Sequence, residues 1–154
     1  MGCGSGSLAG ELSPDCYLGI EVDPFSLQSA SSNFPEHSFQ KALPIDISSF
    51  DTIVALAVIE HVKSPELFLI ELSSRLNSDK LGKIVITTPH PSMKRIYDFG
   101  ASIGVFSEHA NEEHEELLDH SKLEAAGTNA GLHLVLYRSF LFGANQLAVF
   151  EKKS

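Results

Sequence analysis

Three glycines at alternate positions, in Gly2-Cys3-Gly4-Ser5-Gly6, stand at the head of the chain and restrict what can follow them. Glycine adopts φ > 0 without a Cβ clash, so such a run turns tightly and lets a ligand lie directly against peptide N–H groups. The next residues, Ser7-Leu8-Ala9-Gly10-Glu11-Leu12, are mostly good helix formers and stop at Ser13-Pro14-Asp15, which predicts a helix over 7–12. A helix opening on a glycine loop aims its unpaired N–H groups and the positive end of its dipole at whatever the loop holds. Cys16-Tyr17-Leu18-Gly19-Ile20-Glu21-Val22 then reads as a strand that delivers one carboxylate, Glu21, near its end. Glycine loop, helix, strand and an acid about 20 positions on is the order in which nucleotide-binding halves of doubly wound sheets hold a ribose diol. A glycine-rich flexible tail is the competing reading of the loop taken alone, and the strand and acid weigh against it.

Further along, the pattern alternates between helical and strand signals. Residues 24–32 suit a short helix with Pro24 in its first turn. Residues 33–49 lack steady periodicity and read as loop, with a short edge strand at 37–41. Thr52-Ile53-Val54-Ala55-Leu56 is a nearly continuous apolar run, expected to be a central strand buried on both faces. Ser64-Pro65-Glu66 supplies an N-cap, a first-turn proline and an acid for a helix to about Leu76. Its Leu67, Phe68, Leu69, Ile70, Leu72 and Leu76 surround most of the circumference, which predicts deep packing. A turn at 77–82 leads to a β-branched strand, Lys83-Ile84-Val85-Ile86-Thr87-Thr88, stopped by Pro89.

Residues 90–111 carry no clear period and are long for a connection, which suits a lid. An acidic helical segment at 112–118 and a helix over 119–130 follow, the latter with Leu123, Ala126 and Ala130 inward despite Gly127 and with Gly131 at its end. Two closing strands, 132–140 and 146–152, join through Phe142-Gly143-Ala144-Asn145 as a hairpin. The expectation is one α/β domain over residues 1–154, a mostly parallel, doubly wound sheet with an antiparallel C-terminal strand.

Eleven Lys and Arg against 20 Asp and Glu leave a formal net charge of −9, the wrong sign for neutralising phosphates. Nucleic acid is thereby disfavoured as substrate. No apolar run reaches the ~18 residues of a membrane span. Two cysteines without metal spacing fit a reducing compartment, so a cytoplasmic setting is expected. His109, His114 and His120 lie among several glutamates, but no His-Glu-x-x-His order appears, and a solvated acidic face is expected rather than a metal.

Taken in order, Gly2-Cys3-Gly4-Ser5-Gly6, Gly19-Ile20-Glu21-Val22-Asp23-Pro24 and Phe50-Asp51-Thr52-Ile53-Val54 leading to Ile59-Glu60-His61-Val62 resemble the class I S-adenosylmethionine-dependent methyltransferases over nearly the whole chain. The resemblance implies a Rossmann-like fold and S-adenosylmethionine as cofactor. It also implies that Gly2, Gly4 and Gly6 let the backbone approach the methionine and ribose, that Glu21 accepts from the ribose hydroxyls, and that Glu60 and His61 lie beside the methionine portion and the acceptor pocket. His61 and His90, both after strand ends, are the candidate bases toward a small-molecule acceptor, since a histidine titrates near neutrality; packing histidines are the alternative.

Two departures stand out. Only Asp46 is available as the acid near the adenine, and the buried strand that similar proteins carry before the glycine loop is missing, so the chain is expected to be N-terminally truncated, with unpaired edges at the strands of 16–22 and 52–56. The alternatives are a nicotinamide-dependent oxidoreductase, for which Ser7 stands where the third glycine of Gly-x-Gly-x-x-Gly belongs, and a non-catalytic remnant of the fold.

Overall fold

The computed structural model describes residues 1–44, 50–77, 81–91 and 118–152. The expectations at Asp46, His109 and His114, at 78–80 of the turn, at 92–111 of the long connection and at 112–117 of the acidic segment lie outside them.

The chain is an α/β fold of Rossmann-like character, built on two sheets. β1 (Leu18–Ile20) and β2 (Ser38–Gln40) pair in parallel. Between them runs α1 (Pro24–Asn33), whose cap Asp23 accepts from the Ser26 N–H at 2.8 Å. The second sheet has the order β3-β4-β6-β5, from β3 (Thr52–Leu56), β4 (Lys83–Pro89), β5 (Leu132–Phe140) and β6 (Asn145–Lys152). β3 and β4 are parallel and linked through α2 (Pro65–Arg75), whereas β6 inserts antiparallel between β4 and β5. Asp119 caps α3 (His120–Asn129), its Oδ1 accepting from the Lys122 N–H at 2.9 Å.

One face of the larger sheet forms the core. Ile53, Ala55, Ile84, Ile86, Ala148 and Phe150 pack beneath Leu69 and Leu72 of α2 and Leu123 and Ala126 of α3. Gly127, which by propensity weakens its helix, is required by close approach: a Cβ there would run into the ring of Phe150. As expected, Leu123, Ala126 and Ala130 face inward and Gly131 ends the helix at φ 72°.

Four sequence expectations need correction. After the glycine loop the chain makes only two short 3-10 turns, Ala9–Glu11 and Pro14–Cys16, because Gly10 lies against the Phe34 ring and Pro14 cuts the segment short. The strand after them is confined to β1. β3 has the unpaired edge expected at 52–56, but its apolar run is buried on one face only, through Ile53 and Ala55, with Thr52 and Leu56 exposed on the other. α2 buries a single stripe, Leu69, Leu72 and Ser73, leaving Leu67 66 % and Ile70 41 % exposed.

β1 and β3 thus end two different sheets, and residues 1–3 touch both. The Met1 nitrogen donates to Val54 O at 2.8 Å, and the Cys3 N–H donates to Ile20 O at 3.0 Å.

Candidate functional site

All three opening glycines sit at positive φ, 62°, 53° and 87° for Gly2, Gly4 and Gly6, a region that L side chains enter at a cost. Their surroundings differ. A Cβ on Gly2 would lie 2.5 Å from Cγ2 of Val58, and one on Gly6 would lie 2.9 Å from the Phe34 ring. A Cβ on Gly4 would meet nothing within 4 Å. Gly2 and Gly6 are therefore needed for packing, while Gly4 faces open space of the kind a ligand can fill.

The carboxylate of Glu21 closes over this loop. Its Oε2 accepts the Gly4 N–H at 2.9 Å and its Oε1 accepts the Asp23 N–H at 2.9 Å. Each carboxylate oxygen has two acceptor directions, so both keep capacity for a further donor. β1 delivers Glu21 to this position, since Gly19 and Ile20 pair with β2 and the Glu21 N–H donates to Gln40 O at 3.0 Å.

Beneath the loop lie Cys3 and Tyr17. Burial first, and then the Glu21 charge, push the Cys3 thiol above its ordinary value. Burial followed by Cys3 pushes the Tyr17 phenol up to about 12. Both are neutral at pH 7, so Cys3 is not an activated thiolate. Neither was singled out by sequence reasoning as part of the site, because a residue between two glycines gives no hint of its depth.

The second wall comes from the turn after β3. Ala57 adopts φ 54° and donates its N–H to Thr87 O at 2.9 Å, which ties the turn to β4 and seats Val58 against Gly2. A left-handed alanine carries no sequence signal, and the sequence reading passed over it. The 3-10 turn Ile59–His61 then buries Ile59 in the core and Glu60 to 8 % exposure, with Glu60 Oε2 lacking a hydrogen-bond partner among the described residues. A buried carboxylate oxygen in that state calls for a donor. His61, on the same turn, is exposed.

His90 follows β4 and is half-buried; its N–H donates to Ala144 O at 2.9 Å, which fastens it to the β5–β6 hairpin. Next to it, Gln146 is fully buried. Its amide donates to Pro89 O at 3.1 Å and to Leu118 O, and its Oε1 accepts from the Tyr137 hydroxyl at 2.8 Å. Gln146 thereby holds together the two described ends of the excursion between β4 and α3. Thr88, its register partner, is buried, its hydroxyl without a partner among the described residues. His120 stacks edge-on against Tyr137 at 4.4 Å. Among the described residues no group of three ligand-type side chains could hold a metal ion.

Gly2, Gly4, Gly6 and Glu21 are thus brought together at one mouth. Glu60 and His61 share the turn that packs on that mouth through Val58, and His90 lies further along the same edge, past β4.

The sequence model of the methyltransferase domain family matches residues 1–137. Among solved structures, the chain is similar to the putative methyltransferase of Haloferax volcanii in complex with the Trm112 activator, at 16 % identity and TM-score 0.76 over 99 % of this chain and 80 % of that one. A TehB-like SAM-dependent methyltransferase from Corynebacterium glutamicum aligns at 22 % identity and TM-score 0.69 over 99 % and 77 %. Magnesium protoporphyrin IX methyltransferase from Synechocystis, solved with bound SAH, aligns at 15 % identity and TM-score 0.72 over 99 % and 72 %. No curated protein matches the chain in sequence.

Proposed function

The chain belongs to the class I methyltransferase family, and from that premise we propose that it transfers a methyl group from S-adenosylmethionine to a small-molecule acceptor. The observation that carries the proposal is the convergence of Gly4 and the Glu21 carboxylate, bonded at 2.9 Å, on open space. The residues fit the cofactor. Gly4 gives a side-chain-free approach, with Gly2 and Gly6 shaping the loop against Val58 and Phe34, Glu21 offers two acceptor oxygens to the ribose diol, and the orphaned Oε2 of Glu60 suits the α-ammonium of the methionine part.

When bound, S-adenosylmethionine would supply an electrophilic sulfonium methyl for in-line displacement by the acceptor's lone pair, with the sulfur as leaving group. What the chain contributes is alignment and exclusion of water. His61 and His90 are the bases proposed for an acceptor that must lose a proton. A nucleic-acid acceptor is disfavoured by the net charge of −9, and the free Cys3 and Cys16 suit a cytoplasmic setting. No helix among the described residues is long and apolar enough to cross a membrane.

Titration calorimetry with S-adenosylmethionine and with S-adenosylhomocysteine tests the reading. Saturable one-to-one binding of both is expected, with a rise in melting temperature that a non-catalytic remnant lacking the ligand would not show. Absence of heat and of any melting shift with either compound removes the proposal. Binding of NAD in their place would favour the oxidoreductase alternative.

A further inference from the structure

Phe140, Leu141 and Phe142 form a continuous apolar run at the tip of the β5–β6 hairpin, with exposures of 41 %, 61 % and 110 %. The tip is closed by two successive turn bonds, Gly143 N–H to Phe140 O at 3.1 Å and Ala144 N–H to Leu141 O at 3.0 Å. Leu141 and Phe142 stand at φ 50° and 55°, a left-handed conformation that glycine or asparagine would occupy more cheaply. This turn holds Phe142 wholly in solvent. From Ser139 to Phe150 the chain carries no charged side chain, in a protein of net charge −9.

Single exposed apolar residues are ordinary, whereas three in succession on one fixed tip form a contact surface. Its position says what it contacts. β6 begins beside the end of β4, with Pro89 opposite Asn145, and His90 donates directly to Ala144 of the tip. The tip therefore rises from the edge of the sheet that also bears the Ile59–His61 turn. Because β6 neighbours β4 and β4 neighbours β3, it stands about two strand spacings, ~10 Å, from the end of β3. A molecule reacting at the crevice with an apolar body of that length reaches it.

We propose that Leu141 and Phe142 receive the apolar part of the methyl acceptor and select for a lipophilic, chain- or ring-bearing molecule that is uncharged where it meets the tip. The inference rests on the methyl-transfer reading and names the substrate class of the same site.

The test uses N-phenyl-1-naphthylamine, a neutral apolar dye, titrated into the chain saturated with S-adenosylhomocysteine. Saturable fluorescence enhancement is expected, and the double variant Leu141→Ser/Phe142→Ser should weaken it by at least about tenfold. Melting temperature and S-adenosylhomocysteine affinity should stay unchanged, because neither side chain belongs to the core or the glycine loop. Phe142→Leu, which keeps an apolar tip, should retain most of the dye affinity. Unsaturable dye binding by the parent chain, or equal binding by the double variant, overturns the proposal. Sedimentation with phosphatidylcholine vesicles that depends on Leu141 and Phe142, without saturable dye binding, would assign the tip to a bilayer and likewise overturn it. Loss of S-adenosylhomocysteine binding with dye binding intact would overturn the methyl-transfer reading, and with it the identification of the ligand as an acceptor.

Discussion

The two sheets are held together by different physics. Around β3 to β6, large aliphatic and aromatic side chains interlock, with Ile59, Leu69, Leu72, Ile84, Ile86, Leu123 and Phe150 all fully buried. Around β1 and β2 the buried apolar residues are Ala9, Ile20 and Ala30. That half relies instead on close backbone approach at the glycines and on ring edges: Tyr17 meets His37 at 5.7 Å and Phe39 at 5.8 Å, and Phe34 meets His37 at 5.8 Å. The half that carries the glycine loop and Glu21 is thus the one with the smaller apolar core. Regions with few buried apolar contacts open locally at lower free energy, and a ligand bound there adds what the packing does not.

The largest effect that would sharpen this contrast is expected in the larger sheet. Phe150→Ala removes a fully buried ring that touches Gly127 and should destabilise the fold by about 3–5 kcal/mol in urea unfolding. A much smaller loss would mean that the interlocked side is not the main source of stability.

Hydrogen exchange compares the halves directly. Amides of β1 and β2 should exchange faster than those of β4 and β6, and S-adenosylhomocysteine at 100 times its dissociation constant should add about 2.7 kcal/mol of stability. Protection gained mainly in β4 and β6 would break the comparison.

Glu21→Gln keeps the shape of the side chain but removes its charge and turns one acceptor into a donor facing an N–H. Cofactor affinity should fall by roughly 10–100-fold, as for loss of hydrogen bonds to a charged group. Calorimetry on the variant checks this, and an unchanged affinity would detach Glu21 from the ribose.

pH separates the halves least. Asp23 and Asp119 cap one helix on each side, and their carboxylates lie below the ordinary 3.8 because each accepts a first-turn backbone N–H, from Ser26 and Lys122 respectively. Their contribution is present above the unfolded value and is lost as pH falls through the lowered folded values, so acid should loosen both halves alike. Alkali should not act alike. Tyr17 is raised from 10 to about 12, so stability present below pH 10 declines as pH rises through 12, and near-ultraviolet spectra should show β1 and β2 loosening first. Simultaneous loss in both halves at high pH would remove Tyr17 as the cause.

Most of the architecture was legible as pattern. The cap at Ser64, the first-turn prolines Pro24 and Pro65, the β-branched run of β4 and the closing hairpin all announce themselves, because capping, periodicity and turn chemistry act over a few neighbouring residues. The Gly-x-Gly-x-Gly loop and Glu21, 17 residues beyond Gly4, were legible for the same reason, as a spacing. Where reading failed, the deciding neighbour was distant. Whether the apolar run from Thr52 to Leu56 is covered on one face or both depends on what packs over it, and whether Leu67 and Ile70 are covered depends on what faces α2.

The amino-acid order by itself settled the class of fold, the glycine loop and the family, since each is written in local spacing. Only the three-dimensional packing decided that Gly2 and Gly6 serve neighbours while Gly4 faces open space, that Ala57, Leu141 and Phe142 are held left-handed, and that Gln146 joins Pro89 to Leu118. The reason is one of range: helix and strand propensities are summed along a short stretch, whereas close approach, burial and orphaned polar groups exist only once residues far apart in the chain have met.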